Sequence, residues 1–156
     1  MKTILAPLDF SSATEKVLHA ATSLAVDIDG RVVLLHVVQP PLVTSDYGLE
    51  MGSVQATIVA NEQAARRRLE EFKNRLREHL TAVDTVLGSG PPIPEILEQG
   101  HKFKADYIVM GSHGHTALYD LLVGGTTHGI LRKAPCPVVI VPPESPLPED
   151  VTHLEP

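Results

Sequence analysis

At 156 residues, with 13 Lys and Arg against 19 Asp and Glu, the chain has the length of one domain. Its formal charge of −6 has the wrong sign for non-specific nucleic-acid binding. No apolar run approaches the roughly 18 residues of a membrane span, no charged stretch leads into a hydrophobic one at the start, and one cysteine excludes an internal disulfide framework, so a cytoplasmic protein is expected.

Ile4-Leu5-Ala6-Pro7-Leu8 is a short apolar run without alternation, as in a strand buried on both faces. Ser12-Ala13-Thr14-Glu15 has the capping-box pattern, and Val17, Leu18, Ala21, Leu24, Ala25 and Ile28 follow at helical spacing until Asp29-Gly30. Val32 to Val38 predicts a second buried strand, stopped by Pro40-Pro41. Residues 39–55 are longer than an ordinary strand-to-helix connection and read as a lid, a partner-binding element or a loose loop. A second helix is predicted from about Ala56 to Leu80, with Ala65, Leu69, Phe72, Leu76 and Leu80 on its inner stripe. Ala82 to Leu87 is a weaker third strand, Ile93 to Gln99 a short helix, Ala105 to Met110 a fourth strand and Val138 to Val141 a fifth. Strands separated by helices imply right-handed crossovers and a mainly parallel sheet. The Pro-rich, acidic residues 143–156 read as a tail open to disorder.

The most informative segment is Gly111-Ser112-His113-Gly114, followed after nine residues by Gly124-Gly125-Thr126. It joins the apolar run Tyr107-Ile108-Val109-Met110 to a helix predicted from Thr127 to Lys133. Glycines let backbone N–H groups approach an anion, and a helix N-terminus faces it with unpaired donors and a positive dipole end. The bland alternative is a tight strand-to-helix turn with no ligand. Asp9, just after the first strand, has the chemistry to accept hydrogen bonds from a ribose hydroxyl or an adenine amine, or to fix the turn at Phe10-Ser11. Thr126 and Thr127 offer hydroxyl donors to a ligand or cap the following helix.

The Gly-x2-Gly-x9-Gly spacing resembles the phosphate-binding signature of the universal stress protein family. Met1 to Ser11, Val33-Leu34-Leu35-His36-Val37-Val38, Gly90-Pro91-Pro92-Ile93-Pro94-Glu95-Ile96 and Ala134-Pro135-Cys136-Pro137-Val138-Val139-Ile140-Val141 look like further blocks of that family, in order, over residues 1–142. The resemblance implies an α/β fold: a single-domain three-layer sandwich whose open five-stranded sheet has order 3-2-1-4-5 and helices on both faces. It implies binding of ATP, or of ADP or AMP, with Mg²⁺ as an optional bridge. The implied site is Pro7, Leu8, Asp9, Val37, Met110, Gly111, Ser112, His113, Gly114, His115, Gly124, Gly125, Thr126 and Thr127. It also implies a homodimer formed by edge pairing of Val138, Val139, Ile140 and Val141, since an apolar edge strand must be covered or paired.

Two positions depart from the family pattern. Gly125 stands where Ser or Thr usually follows the third glycine, and a hydrogen bond lost to a charged group is worth about 1.5–3 kcal/mol. Tyr119-Asp120 occupies positions where many relatives carry a basic residue; Asp120 repels phosphates or holds a bridging Mg²⁺. His113, His115 and His128 invite a metal reading, but a phosphate-facing or solvated role explains them better, so no metal site is expected. Arg66-Arg67-Arg68, interleaved with Glu62, Glu70 and Glu71, reads as a solvated helix face. Cys136 reads as an inert packed thiol. Neither a Gly-x4-Gly-Lys-Ser/Thr loop nor a Gly-x-Ser-x-Gly elbow occurs, and Ser112, His113 and Asp120 match a triad in residue type only. The sequence therefore reads as a dimeric nucleotide-binding stress-response sensor or regulator without catalytic residues. The alternatives are an interaction module that has lost the nucleotide, or a slow ATP hydrolase.

Overall fold

The computed structural model describes residues 1–39, 51–112 and 125–142. The elements run β1 (Thr3–Pro7), α1 (Thr14–Asp27), β2 (Arg31–Val38), α2 (Met51–Leu76), β3 (Val83–Ser89), α3 (Pro92–Lys102), β4 (Tyr107–Gly111), α4 (Gly125–Lys133) and β5 (Val138–Val141). They form one sheet of order β3-β2-β1-β4-β5 in which every pair is parallel. The expected strand order and layered α/β architecture are therefore present, and "mainly parallel" becomes wholly parallel.

Alternate residues along each strand feed two cores, because successive Cβ atoms point to opposite faces of a sheet. Ile4, Ala6, Val32, Leu34 and Val109 pack with Val17, Leu18, Ala21, Leu69, Phe72 and Leu76 of α1 and α2. Leu5, Val33, Leu35, Ile108 and Met110 pack with Ile96 of α3 and Ile130 of α4. The central strands are apolar on both faces for this reason, which is why β1 and β2 show no alternation. Among the described residues, no helix is long and apolar enough to cross a membrane.

Helix ends differ most from expectation. The capping box does not form: α1 begins at Thr14, and its N-cap Ala13 makes no side-chain hydrogen bond. The turn before it satisfies donors differently, with Ser11 Oγ accepting from the Ala13 N–H at 3.3 Å. Glu15, the expected partner in the box, instead receives both terminal nitrogens of Arg75 from α2, at 2.9 and 2.7 Å. Helix α2 starts five residues before the expected Ala56 and ends four before Leu80. Leu80 is still buried, in a turn whose N–H reaches the Leu76 carbonyl at 2.9 Å. The connection after β2 is correspondingly shorter than residues 39–55, and residues 40–50 of it lie outside the described residues. Helix α3 starts on Pro92, a favourable first-turn proline whose missing N–H has no helical acceptor to lose, and runs three residues past Gln99. The expected tail, 143–156, lies outside the described residues.

Candidate functional site

A cleft of about 430 Å³ opens beyond the C-terminal ends of β1, β2 and β4. In an open parallel sheet this is the edge where the strand order reverses: β1 carries β2 on one side and β4 on the other. Connections leaving β1 and β4 depart to opposite faces, and the cleft is the gap between them.

The β1 side is built by a tight turn. Asp9 Oδ1 accepts the Ser11 N–H at 2.9 Å, so the turn-forming role weighed for Asp9 is real. Its second carboxylate oxygen has no such bond to the turn, and Asp9 lines the cleft. Phe10 between them has φ 59°, a left-handed conformation that side chains ordinarily avoid at a cost of about 1–2 kcal/mol. Packing holds it there. The Phe10 ring stacks on His36 with centroids 4.0 Å apart and planes 17° from parallel, and the Arg68 guanidinium lies 4.5 Å from its centroid. His36 Nδ1 donates to the Leu8 carbonyl at 2.7 Å, which fixes the hydrogen on that nitrogen. Burial lowers the basicity of His36; the Leu8 carbonyl and Asp9 oppose that shift, and Arg68 adds to it.

The β4 side is pinned by a hydroxyl. Thr127, only 3% exposed, donates from Oγ1 to the Gly111 carbonyl at 2.9 Å and lies 3.3 Å from that of Ser112. Helix α4 thus starts against the last residue of β4, with its N-terminal N–H groups at the cleft. Thr127 holds the helix in place through this bond, and Thr126 is the freer hydroxyl beside it. Ser112 N–H reaches across to the Val141 carbonyl at 3.0 Å, tying the same corner to β5.

Three helix N-termini therefore border the cleft: Ala13 and Thr14 of α1, Pro92 and Ile96 of α3, Thr126 and Thr127 of α4. Thr14 is 5% exposed, and its Oγ1 has no hydrogen-bond partner among the described residues. A buried hydroxyl without a partner costs about 1–3 kcal/mol, which a ligand or water in the cleft would recover.

Of the residues expected at the site, Pro7, Leu8, Asp9, Val37, Met110, Gly111, Thr126 and Thr127 line this one cleft. Ser112 is buried beside it without lining it, and Gly125 opens α4 on an exposed position where an added Cβ would meet nothing within 4 Å among the described residues. His113, Gly114, His115 and Gly124 lie outside the described residues, as do Tyr119 and Asp120. The cleft also takes in His36, Thr14, Val17, Leu35, Gln39 and Ile96, which sequence reasoning did not single out. His36 was the most legible of these, as a polar residue near the end of an apolar strand. Cys136 is half-buried, and burial pushes its thiol up, in keeping with an unreactive group. Among the described residues no three His, Cys, Asp or Glu side chains gather to hold a metal ion.

Residues 1–142 match the model of the Universal stress protein family. Universal stress protein MJ0531 of Methanocaldococcus jannaschii is 30% identical over 141 residues, covering 90% of this chain and 81% of the relative. A solved structure of protein MJ0577, from the same organism, is 28% identical, with a TM-score of 0.80 over 92% of this chain and 97% of that one. Two structures that share the fold at lower identity are complexes. One is a universal stress protein with cAMP (20% identical, TM-score 0.66, covering 92% of this chain and 98% of that one), and the other is the Archaeoglobus fulgidus protein with dAMP (18% identical, TM-score 0.62, covering 90% and 97%).

Proposed function

The chain belongs to the universal stress protein family, and on that premise we propose that its cleft binds an adenine nucleotide and that the protein works as a dimeric, cytoplasmic stress-response sensor or regulator. One observation carries the ligand reading: Asp9 beyond β1 and the N-terminus of α4 beyond β4 face the same crevice at the strand-order reversal. Asp9 is suited to accept from a ribose hydroxyl, and α4 to donate to a phosphate. The cAMP and dAMP complexes of more distant members support the same assignment. The chain's own residues fit such a ligand, because Thr14 has a hydroxyl to satisfy and Pro7, Leu8, Val37 and Met110 give an apolar surface for a base.

The cleft binds and orients; it has little to accelerate with. Phosphoryl transfer needs cations or a metal at the departing group, and no Lys or Arg lines the described cleft. Any hydrolysis of ATP, with or without Mg²⁺, is therefore expected to be slow. Calorimetric titration of nucleotide-stripped protein tests the reading. Saturable heat with one adenine nucleotide per subunit supports it. No heat and an unchanged melting temperature with every adenine ligand would sink it and leave a ligand-free interaction module.

A further inference from the structure

We propose that His36 is a positioning residue: it holds both flanks of Asp9 and so sets how well the Asp9 carboxylate meets a bound nucleotide. The inference rests on the adenine-nucleotide reading and concerns what fixes one contact within it.

Asp9 has little hold of its own. It is exposed, and its Oδ1 accepts from the Ser11 N–H only two residues on, a local bond that moves with the turn. A carboxylate on a loose turn loses affinity whenever a ligand has to order it, so a group that contributes to binding is best held beforehand.

The residues on either side of Asp9 are held, and both are held by β2. Before it, the Leu8 N–H donates to the Leu35 carbonyl at 2.7 Å, and the Leu8 carbonyl accepts from His36 Nδ1 at 2.7 Å. After it, the Phe10 ring stacks on the same His36 ring, with centroids 4.0 Å apart. One imidazole therefore grips the chain by a ring nitrogen on one side of Asp9 and by its ring face on the other.

Phe10 shows that the grip is strong enough to hold strain. A glycine would adopt φ 59° freely, whereas a bulky side chain persists there only where its surroundings over-determine it. Those surroundings are His36, Phe72 with its centroid 6.1 Å away, and the Arg68 guanidinium 4.5 Å from the Phe10 centroid. Phe10 does not itself line the described cleft, while Leu8 and Asp9 do. The clamped ring thus works from behind, and the carboxylate next to it is what the turn presents to a ligand. His36 lines the cleft as well, so a direct touch on the ligand is the competing role.

A double-mutant cycle separates the two roles, read by calorimetric titration of nucleotide-stripped, full-length protein with AMP, ADP and ATP. Its members are wild type, Asp9→Ala, His36→Leu and the double variant. With Asp9 present, His36→Leu should weaken the tightest-bound nucleotide about fivefold or more; with Asp9 gone, it should change affinity less than about twofold. Melting temperature should fall similarly in both backgrounds, since the same stack and hydrogen bond are lost. Comparable affinity losses in the two backgrounds would overturn the inference, because neither a direct contact nor a general loosening of the fold depends on Asp9. Unchanged affinity in His36→Leu would overturn it equally. His36→Asn keeps a donor for the Leu8 carbonyl and His36→Phe keeps the stack. Each should bind with an affinity between those of wild type and His36→Leu, and the pair carries the cycle if His36→Leu does not fold. Phe10→Gly, which takes the turn without strain but loses the stack, should show the same dependence on Asp9. Failure of wild type to bind any of the three nucleotides would remove the adenine-nucleotide reading, and the inference with it.

Discussion

Asp9 fixes its turn through one oxygen while it lines the cleft, so its turn-forming role and its proposed ligand role are separable. Asp9→Asn keeps an acceptor for the Ser11 N–H but removes the charge, so the fold should hold while adenosine affinity falls about tenfold, equivalent to about 1.4 kcal/mol. Calorimetry beside a melting curve reads both; undiminished affinity would take Asp9 out of the site. His36 gives a pH dependence whose sign follows from burial. The folded protein holds a proton on His36 less readily than the unfolded chain, so the unfolded state binds more protons between the depressed folded value and the ordinary value near 6.5. The stability contributed is complete above the ordinary value and is lost as pH falls through the depressed one. Melting temperature should therefore drop between about pH 7.5 and pH 5.5, and less so in His36→Asn, where an amide nitrogen can still donate to the Leu8 carbonyl. Equal drops in both proteins would show that other groups carry the effect. Thr127→Val strands the Gly111 carbonyl and should cost about 1 kcal/mol, or about 2–4 °C in Tm at this chain length, with Thr127→Ser close to wild type.

Helix placement depends on close contacts that composition does not reveal. Gly129 in α4 sits where an added Cβ would collide with Ile93 of α3, so glycine there sets the approach of the two helices. Gly129→Val should cost about 1–3 kcal/mol by overpacking and shift the α4 N-terminus that faces the cleft. Chemical denaturation reads the first effect and nucleotide affinity the second; a variant of wild-type stability would show the helices have room to spare. Gly88 plays the same part on the other side of α3, where a Cβ would meet the Glu95 side chain that Gln99 holds at 2.9 Å. The bidentate Arg75–Glu15 pair joins α2 to α1 but is more than half exposed at both partners, so its weight is small despite good geometry. Elements were legible where a buried stripe ran through them: Ala65, Leu69, Phe72 and Leu76 of α2 are all buried, as is Leu80 in the turn that follows. The ends were not. The first turns of α2 contain Gly52, and Val54 and Ile58 there are only half-buried; the α1 capping signal was overruled when Arg75, 60 residues away, took Glu15.

At the scale of the molecule, the two sheet edges are unequal. β5 is a short apolar strand with Val139 38% exposed, and edge pairing with a second copy would cover it, as the resemblance implied. Val139→Glu should convert a dimer to a monomer in sedimentation analysis without altering the fold; an unchanged sedimentation coefficient would place the interface elsewhere. The cleft lies beyond β1, β2 and β4 rather than at the β5 edge, so loss of the dimer should leave nucleotide affinity within a fewfold of wild type.

The order of strands and helices, the double-sided burial of β1 and β2 and the two sides of the cleft at Asp9 and Gly111 were legible in the sequence, because each depends on residues near one another in the chain. Strand order rested on resemblance, since no local pattern says which strand lies beside which. The cleft's other walls were decided by tertiary structure. His36 entered through its stack on Phe10, Thr14 through burial without a partner, and Ile96 through packing of α3 beneath the sheet's ends.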